Sequence, residues 1–126
     1  MKPITLLALI CVVLVCAACT PEKSEAAQTV EVYLQALVDK DETRLVALTC
    51  PDYEMDALLE LDAFQNVVTT LEGLACEEGG TEGDYTLVNC EGQIMASYGA
   101  EQRQFDLSER TYRLLSSADG WLVCGD

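Results

Sequence analysis

An apolar stretch near the N-terminus divides this chain into a leader and a domain. Lys2 supplies a positive charge, residues 4–15 form an almost uninterrupted apolar run, and Cys16 and Cys19 follow with two alanines between them. A helix of about 12 residues rises about 18 Å, well short of the about 30 Å of a bilayer core. The pattern therefore predicts a cleavable secretory leader, which leaves about one hundred residues for one domain.

Cys19 is the better candidate for lipid attachment. The small residues Ala17 and Ala18 precede it, whereas Val15 precedes Cys16. The segment resembles the lipobox of bacterial lipoproteins, except that Cys16 stands where leucine is usual. The resemblance implies a signal peptide at 1–18 and a lipid on Cys19, with acyl chains such as palmitate in the membrane. The protein would then be anchored in the cell envelope on the extracytoplasmic side. Ordinary cleavage after Ala18 is the alternative, and export follows from either.

The charge balance excludes one class of partner. The chain has 22 acidic residues against 7 basic ones, a formal net charge of −15. Proteins that bind nucleic acids need clustered Lys and Arg, and Arg103, Arg110 and Arg113 are the nearest approach to a cluster. We therefore predict no nucleic-acid partner. The acidity is interpreted as a solvated surface that resists association.

The N-terminal half of the mature chain predicts a tether and three helices. Residues 19–27 contain Pro21 and several charges without apolar periodicity, and are assigned to a tether; the domain occupies 28–126. Apolar residues then recur at helical spacing. The first helix starts at Gln28 and carries Val30, Tyr33, Leu34, Leu37 and Val38; the second has Asp41 as N-cap; the third has Pro51 in its first turn and ends near Phe64.

Beyond Asn66 the pattern changes to β-branched and aromatic segments separated by turn residues. We predict four antiparallel strands, at residues 67–71, 85–88, 105–115 and 121–123, with turns at 77–84, 98–101 and 117–120. The apolar positions change parity within the third strand, which predicts a β-bulge near residues 108–110. The expected fold class is α+β, with three N-terminal helices packed on a curved four-stranded antiparallel sheet.

This order of elements resembles the nuclear transport factor 2-like superfamily, which includes ketosteroid isomerases and SnoaL-like proteins. The resemblance rests on residues 30–41, similar to the family's first helix and the turn after it, and on the ending at 112–124. It implies a cone-shaped domain with a pocket between the first helix and the sheet, but no particular chemistry. The candidate pocket residues are Tyr33, Leu37, Tyr112 and Trp121.

Tyr33 falls where the isomerase branch has a tyrosine that donates to a developing oxyanion. The isomerases also need an aspartate base opposite that tyrosine, and no acid of this chain matches it. The chain has no histidine, so the usual general base and the commonest zinc ligand are missing. We therefore predict no catalytic residues, metal ligands or cofactors. Tyr33 is interpreted as a core aromatic, and the acid pairs Asp52 with Asp56 and Glu60 with Asp62 as solvated helix faces.

Four cysteines besides Cys19 lie in the mature chain: Cys50, Cys76, Cys90 and Cys124. None forms a Cys-x-x-Cys pair, which argues against a zinc site or a redox motif. In an exported domain of this size, two disulfides are expected. Three connectivities exist, of which we favour Cys50 with Cys76 and Cys90 with Cys124; free thiols are the alternative.

The sequence thus predicts a lipid-anchored, non-catalytic domain that binds a small apolar ligand or an envelope partner. One alternative is an isomerase- or hydratase-like enzyme that uses Tyr33 and an unidentified carboxylate. Another is a structural envelope protein with a filled cavity. A carboxylate facing the pocket near Tyr33 would indicate the enzyme, an apolar lining the binding domain, and a filled interior the structural protein.

Overall fold

The computed structural model describes residues 21–126, so Cys19 and the predicted leader lie outside the described residues. Three helices precede five strands, in the order α1 (Glu25–Asp39), α2 (Glu42–Ala47), α3 (Glu54–Ala63), β1 (Val68–Glu82), β2 (Tyr85–Tyr98), β3 (Glu101–Asp106), β4 (Thr111–Ser117) and β5 (Gly120–Gly125). A 3₁₀ turn at Leu107–Glu109 joins β3 to β4. Within residues 21–126, no helix is long and apolar enough to cross a membrane.

The architecture is α+β, but the expected four-stranded sheet is wrong, because the sheet has five strands. The predicted third strand is two strands, β3 and β4, which both pair with β2. The 3₁₀ turn between them produces the change of apolar parity that we attributed to a bulge. There the Asp106 side chain accepts from the backbone N–H of Ser108 at 2.9 Å, and Leu107 is buried. A short turn and a bulge both reverse parity, so the pattern predicts either.

Helix α1 lies along β1, and two hydrogen bonds to β1 show the direction in which it runs. It begins three residues before the predicted start at Gln28, because Ser24 caps it by accepting from the backbone N–H of Ala27 at 3.1 Å. Near its midpoint, a Glu31 carboxylate oxygen accepts from the backbone N–H of Cys76 at 3.0 Å. At its C-terminal end, the Thr69 hydroxyl donates to the Val38 carbonyl at 2.8 Å. The helix therefore runs from the Cys76 region of β1 towards Thr69.

The connection between α2 and α3 covers the edge of β5. Asp41 caps α2 as predicted, accepting from the backbone N–H of Arg44 at 3.1 Å. After α2, the Leu48 carbonyl accepts from the N–H of Val123, and the N–H of Cys50 donates to the carbonyl of Val123, both at 2.8 Å. These bonds attach the helical half of the domain to the last strand and satisfy backbone groups that an edge strand leaves free.

The first hairpin is much longer than the sequence predicts. Residues 77–84 were expected to form a turn, yet β1 continues to Glu82, and Glu82 pairs directly with Tyr85. The turn consists of Gly83 and Asp84 alone. Gly83 has φ 59°, the positive value that a two-residue hairpin turn needs at its first central position. Irregularities at 72–75 and 78–80 shift the register of β1.

Two disulfides form, Cys50–Cys124 and Cys76–Cys90. The expectation of two bridges is confirmed, but the connectivity that we favoured is wrong. Cys76 and Cys90 face each other across β1 and β2, with Cα atoms 4.0 Å apart. Because β4 lies between β2 and β5, a whole strand separates Cys90 from Cys124, too far for a disulfide.

The core lies between α1 and the inner face of the sheet. Helix α1 contributes side chains that are no more than 4% exposed along most of its length. Alternate residues of β2, β4 and β5 face it, as the two-residue period of strands requires; the most buried are Val88, Cys90, Ile94, Ala96, Tyr112, Leu114 and Val123.

Gly92 lies opposite the first irregularity of β1, and its substitution should be costly. Its φ is +102°, and an added Cβ would lie 2.6 Å from the Glu72 carbonyl oxygen and 2.7 Å from the Gly73 carbonyl group. Gly80 has a similar φ of +114° with nothing within 4 Å. We expect Gly92→Ala to lower the free energy of unfolding by about 3 kcal/mol or more, from strain plus collision, and Gly80→Ala by about 1 to 2 from strain alone. Urea denaturation measures both, and equal losses would contradict the close approach.

The two disulfides should differ in their contribution to stability. Cys50–Cys124 closes a loop with a sequence separation of 74, and Cys76–Cys90 one of 14. Chain entropy then gives about 4.4 kcal/mol for the first bridge and about 3.0 for the second. We expect the Cys50→Ser/Cys124→Ser variant to unfold at lower urea than Cys76→Ser/Cys90→Ser. Peptide mapping without reduction should recover both pairs, and any crossed pair would contradict the assigned connectivity.

Candidate functional site

Four polar residues from separate parts of the chain meet at one end of the core, and we call them the Arg110 cluster: Tyr53, Glu60, Arg110 and Asp126. One Arg110 guanidinium nitrogen donates to Glu60 at 2.7 Å and to Asp126 at 2.9 Å. The second carboxylate oxygen of Asp126 accepts from the Tyr53 hydroxyl at 2.9 Å. The cluster thus joins α3, the start of β4 and the C-terminus through charge-assisted hydrogen bonds.

Local structure explains how these side chains converge. Ala57 and Leu61 are buried and seat α3 on the core, which leaves Glu60 beside them with a side chain 19% exposed. Arg110 ends the 3₁₀ turn, where its backbone N–H donates to the Leu107 carbonyl at 3.2 Å.

The Cys50–Cys124 disulfide positions the other two members of the cluster, Tyr53 and Asp126. Tyr53 follows Cys50 by three residues, and Asp126 follows Cys124 by two. Because the bridge joins these two segments, it holds the Tyr53 phenol within reach of the Asp126 carboxylate.

Two buried tyrosines lie beside the cluster. Tyr33 is 1% exposed and Tyr112 is 0% exposed, and their rings meet edge to face with centroids 6.3 Å apart. Neither hydroxyl makes a hydrogen bond of normal geometry with a described residue, although Tyr53 lies near the Tyr33 hydroxyl and Arg110 near the Tyr112 hydroxyl. Buried hydroxyls nearly always make a normal hydrogen bond, so these two tyrosines are exceptions to the usual rule.

The electrostatic environment keeps these phenols protonated. Burial raises the pKa of Tyr33 far above its usual value, and the nearby Tyr53, Glu60, Tyr112 and Asp126 raise it further. Burial is also the main cause that raises the pKa of Tyr112, to about 12, while the Arg110 charge opposes the shift. At neutral pH both groups can donate a hydrogen bond but cannot act as bases.

The structure brings only part of the predicted pocket together. Tyr33, Leu37 and Tyr112 lie in the core and are at most 1% exposed. Trp121 is half-buried on β5 and packs against the same core. None of the four lines any of five depressions on the described surface. The aromatic pair exists, but none of these five depressions opens onto it.

Two of these depressions adjoin each other at the Arg110 cluster. Their volumes are about 460 and 410 Å³, and both are lined by Arg110, Arg113 and Asp126. Arg113 makes no ion pair with any described residue, and its guanidinium lies over Gly125, where an added Cβ would come within 3.0 Å of it. The surrounding walls are acidic, with Asp56, Glu60, Glu82 and Glu109.

The Arg110 cluster is not predicted by any local signal in the sequence. The sequence assigns Glu60 to a solvated helix face, whereas Glu60 pairs with Arg110 across 50 residues of chain. Asp52 and Asp56 are exposed as expected. Among residues 21–126, no group of three or more His, Cys, Asp or Glu is placed to hold a metal ion.

No protein-family model matches this sequence, and no curated protein matches it. The resemblances to lipoproteins and to the nuclear transport factor 2-like superfamily therefore stay predictions.

The unpartnered hydroxyls of Tyr33 and Tyr112 give a direct test of the core. Removing an unsatisfied buried hydroxyl removes its desolvation cost, so we expect Tyr33→Phe and Tyr112→Phe each to raise the free energy of unfolding by about 1 kcal/mol. Tyr98→Phe, at an exposed position, is the control and should change little. Urea denaturation at pH 7 measures all three, and destabilisation by either core variant would show that its hydroxyl has a partner.

The same variants should alter the response to alkali. The pKa of Tyr112 is about 12 in the folded state against an ordinary 10. The free energy of unfolding therefore does not change with the ionisation of this group below pH 10, and it falls as the pH rises from 10 towards 12. Between these values the loss is about 1.4 kcal/mol per pH unit. Tyr112→Phe should therefore flatten the fall in stability above pH 10, whereas Tyr98→Phe serves as the comparison at an exposed site.

Proposed function

We propose that this protein is a lipid-anchored interaction domain of the cell envelope, which binds an envelope partner through its surface and catalyses no reaction. The basic and apolar leader before Cys19 supports export and lipid attachment. The two disulfides support a location in an oxidising compartment outside the cytoplasm. A small folded domain held at the membrane by a lipid is suited to contact other envelope components.

The filled interior is the observation that decides between a small apolar ligand inside the domain and an envelope partner on its surface. A small-molecule site needs a concave pocket that buries most of the ligand. Here Tyr33, Leu37 and Tyr112 occupy the space between α1 and the sheet and are at most 1% exposed. The described depressions are shallow and charged at the Arg110 cluster. These facts favour a partner on the surface over an apolar ligand inside. A filled interior is equally what the structural envelope protein predicts, and that alternative also acts through its surface.

Catalysis by Tyr33 is a second candidate, favoured by one observation. Glu60 and Asp126 lie close enough to Tyr33 to raise its pKa, so carboxylates do approach this phenol. Both carboxylates, however, accept hydrogen bonds from Arg110, and Tyr33 is buried. Glu60 and Asp126 line a surface depression, but a substrate could reach the Tyr33 phenol only by opening the core, and for this reason we place the enzyme second.

Lipid attachment can be tested with a matched pair of cysteine variants in a bacterial host. We expect Cys19→Ala to release the protein from the membrane fraction, because the acyl chains are lost. Cys16→Ala should stay in the membrane fraction. Fractionation with incorporation of labelled palmitate measures both. Release by Cys16→Ala alone, or a wild-type protein without label, would contradict the anchor at Cys19.

Native mass spectrometry of the wild-type protein from the same membranes separates surface binding from internal binding. A filled interior predicts a mass equal to the lipid-modified chain, with no additional small molecule. A co-purifying apolar molecule that survives transfer to the gas phase would instead show that the core opens to a ligand, and would overturn the preference for a surface partner.

A further inference from the structure

Helix α3 carries apolar side chains on two opposite faces. Ala57 and Leu61 are buried against the core. On the other side of the helix, Met55 is 68% exposed and Leu59 is 62% exposed. These two residues are four positions apart, so their side chains adjoin on the helix surface. The outer face of a surface helix is usually polar, whereas α3 presents an apolar pair that the described part of the domain leaves uncovered.

This pair differs from the other exposed apolar side chains. Among residues 21–126, the other large hydrophobic residues that are exposed are Val68 and Tyr98. Val68 pairs with Ser97 across β1 and β2, so Tyr98, the next residue of β2, points to the opposite face of the sheet. Single exposed apolar side chains are ordinary. Two that adjoin on one helix form a continuous contact surface.

Acidic side chains border the apolar pair on both sides. Asp56 and Asp62 stand three residues before and three residues after Leu59, and both are exposed. At this spacing they flank the pair on the helix surface. Neither makes an ion pair with any of residues 21–126. We call the surface formed by Met55, Asp56, Leu59 and Asp62 the α3 face; through Asp56 it adjoins the depression of about 410 Å³ at the Arg110 cluster.

The charges of the α3 face favour one kind of occupant. A second copy would bring two further aspartates against Asp56 and Asp62, in a chain with a formal net charge of −15, and like charges oppose such a contact. Helices that lie on a bilayer carry Lys and Arg beside their apolar face, whereas here the flanking residues are acidic. A protein segment with apolar side chains between Lys or Arg residues complements both the apolar pair and its border.

We propose that the α3 face binds a basic amphipathic helix of an envelope partner. The apolar side chains of that helix pack on Met55 and Leu59, and its Lys or Arg side chains pair with Asp56 and Asp62. A helix suits this surface because its own apolar residues recur at the same one-turn spacing. This inference rests on the proposed function as an interaction domain and names the chemistry of the partner.

A synthetic amphipathic helix of leucine and lysine is the probe, and fluorescence anisotropy measures its binding to the full-length protein in nonionic detergent. We expect Met55→Ala/Leu59→Ala to weaken binding about ten-fold or more, as truncation of central interface residues does. Alanine favours the helix, so urea denaturation should find α3 intact. Val68→Ala/Tyr98→Ala is the matched control, and its affinity should stay within about two-fold of the wild type.

A charge reversal gives a second measurement that needs a folded protein. Asp56→Lys/Asp62→Lys should lose the leucine–lysine helix and gain binding of a leucine–glutamate helix of the same pattern. Glu77→Lys/Glu78→Lys changes the net charge equally on β1, and it should keep its preference for the leucine–lysine helix. An equal effect of both reversals would show general attraction to an acidic protein and would overturn the proposal. Absence of binding to the wild type, or unchanged binding by Met55→Ala/Leu59→Ala, would do the same.

The other two occupants have their own signals. Trp121 is the chain's one tryptophan, so Met55→Trp adds a second emitter on the α3 face. Quenching of this added emission by brominated phosphatidylcholine vesicles would place the face in the bilayer. A dimer in native mass spectrometry that Met55→Ala/Leu59→Ala abolishes would show a second copy there. Either result would overturn the proposed partner, and we expect neither.

Failure of this inference can be distinguished from failure of the proposed function. Binding of the probe does not depend on the lipid, so a protein without label at Cys19 would contradict the anchor and leave the measurements on the α3 face valid. Conversely, a labelled and membrane-bound protein whose α3 variants bind the probe like the wild type would retain the anchor and overturn the α3 face.

Discussion

The attachment of Cys50 to Cys124 is the constraint on which the rest of this structure depends. The three helices precede the sheet in the chain, so contacts between residues that are distant in sequence must join the helical half to the last strand. The disulfide does this together with the backbone hydrogen bonds between the Leu48–Cys50 segment and Val123. It also determines where Tyr53 and Asp126 lie, and hence where Arg110 finds its partners. One covalent bond therefore positions both a sheet edge and a polar cluster.

Much of the helical half could be predicted from the sequence because its signals are local. The Asp41 cap and the apolar spacing of α1 depend on residues within a few positions of each other. The sheet was harder, since pairing decides what a strand is. Residues 77–82 are acidic and Gly-rich and predict a turn, yet pairing with β2 makes them a strand. The strand count failed for a related reason, because a 3₁₀ turn after Asp106 and a bulge leave the same pattern.

The candidate site was harder to predict from the sequence, since its members come from distant positions in the chain. Glu60, Arg110 and Asp126 each have acidic or polar neighbours in sequence that look equally suited to the surface. Only the fold, which brings Glu60 of α3 and the C-terminal Asp126 to the Arg110 side chain, selects them. Tyr33 has one property that the sequence predicts and one that it does not. Its apolar spacing predicts a core aromatic, and it is buried. Its hydroxyl makes no hydrogen bond of normal geometry with a described residue, a fact that depends on the shape of the whole core.

The filled core and the fixed N-terminal segment have a common consequence. The described side chains between α1 and the sheet fill the core, so the proposed partner would meet the surface of the domain. The Glu31 carboxylate is central here, because it binds Lys23 on one side and the backbone of Cys76 on the other. Since Cys76 is bonded to Cys90, a pull on the N-terminal segment is transmitted to two strands of the sheet and not to a loop. Under the proposed anchor at Cys19, this contact would connect the lipid to a rigid part of the domain.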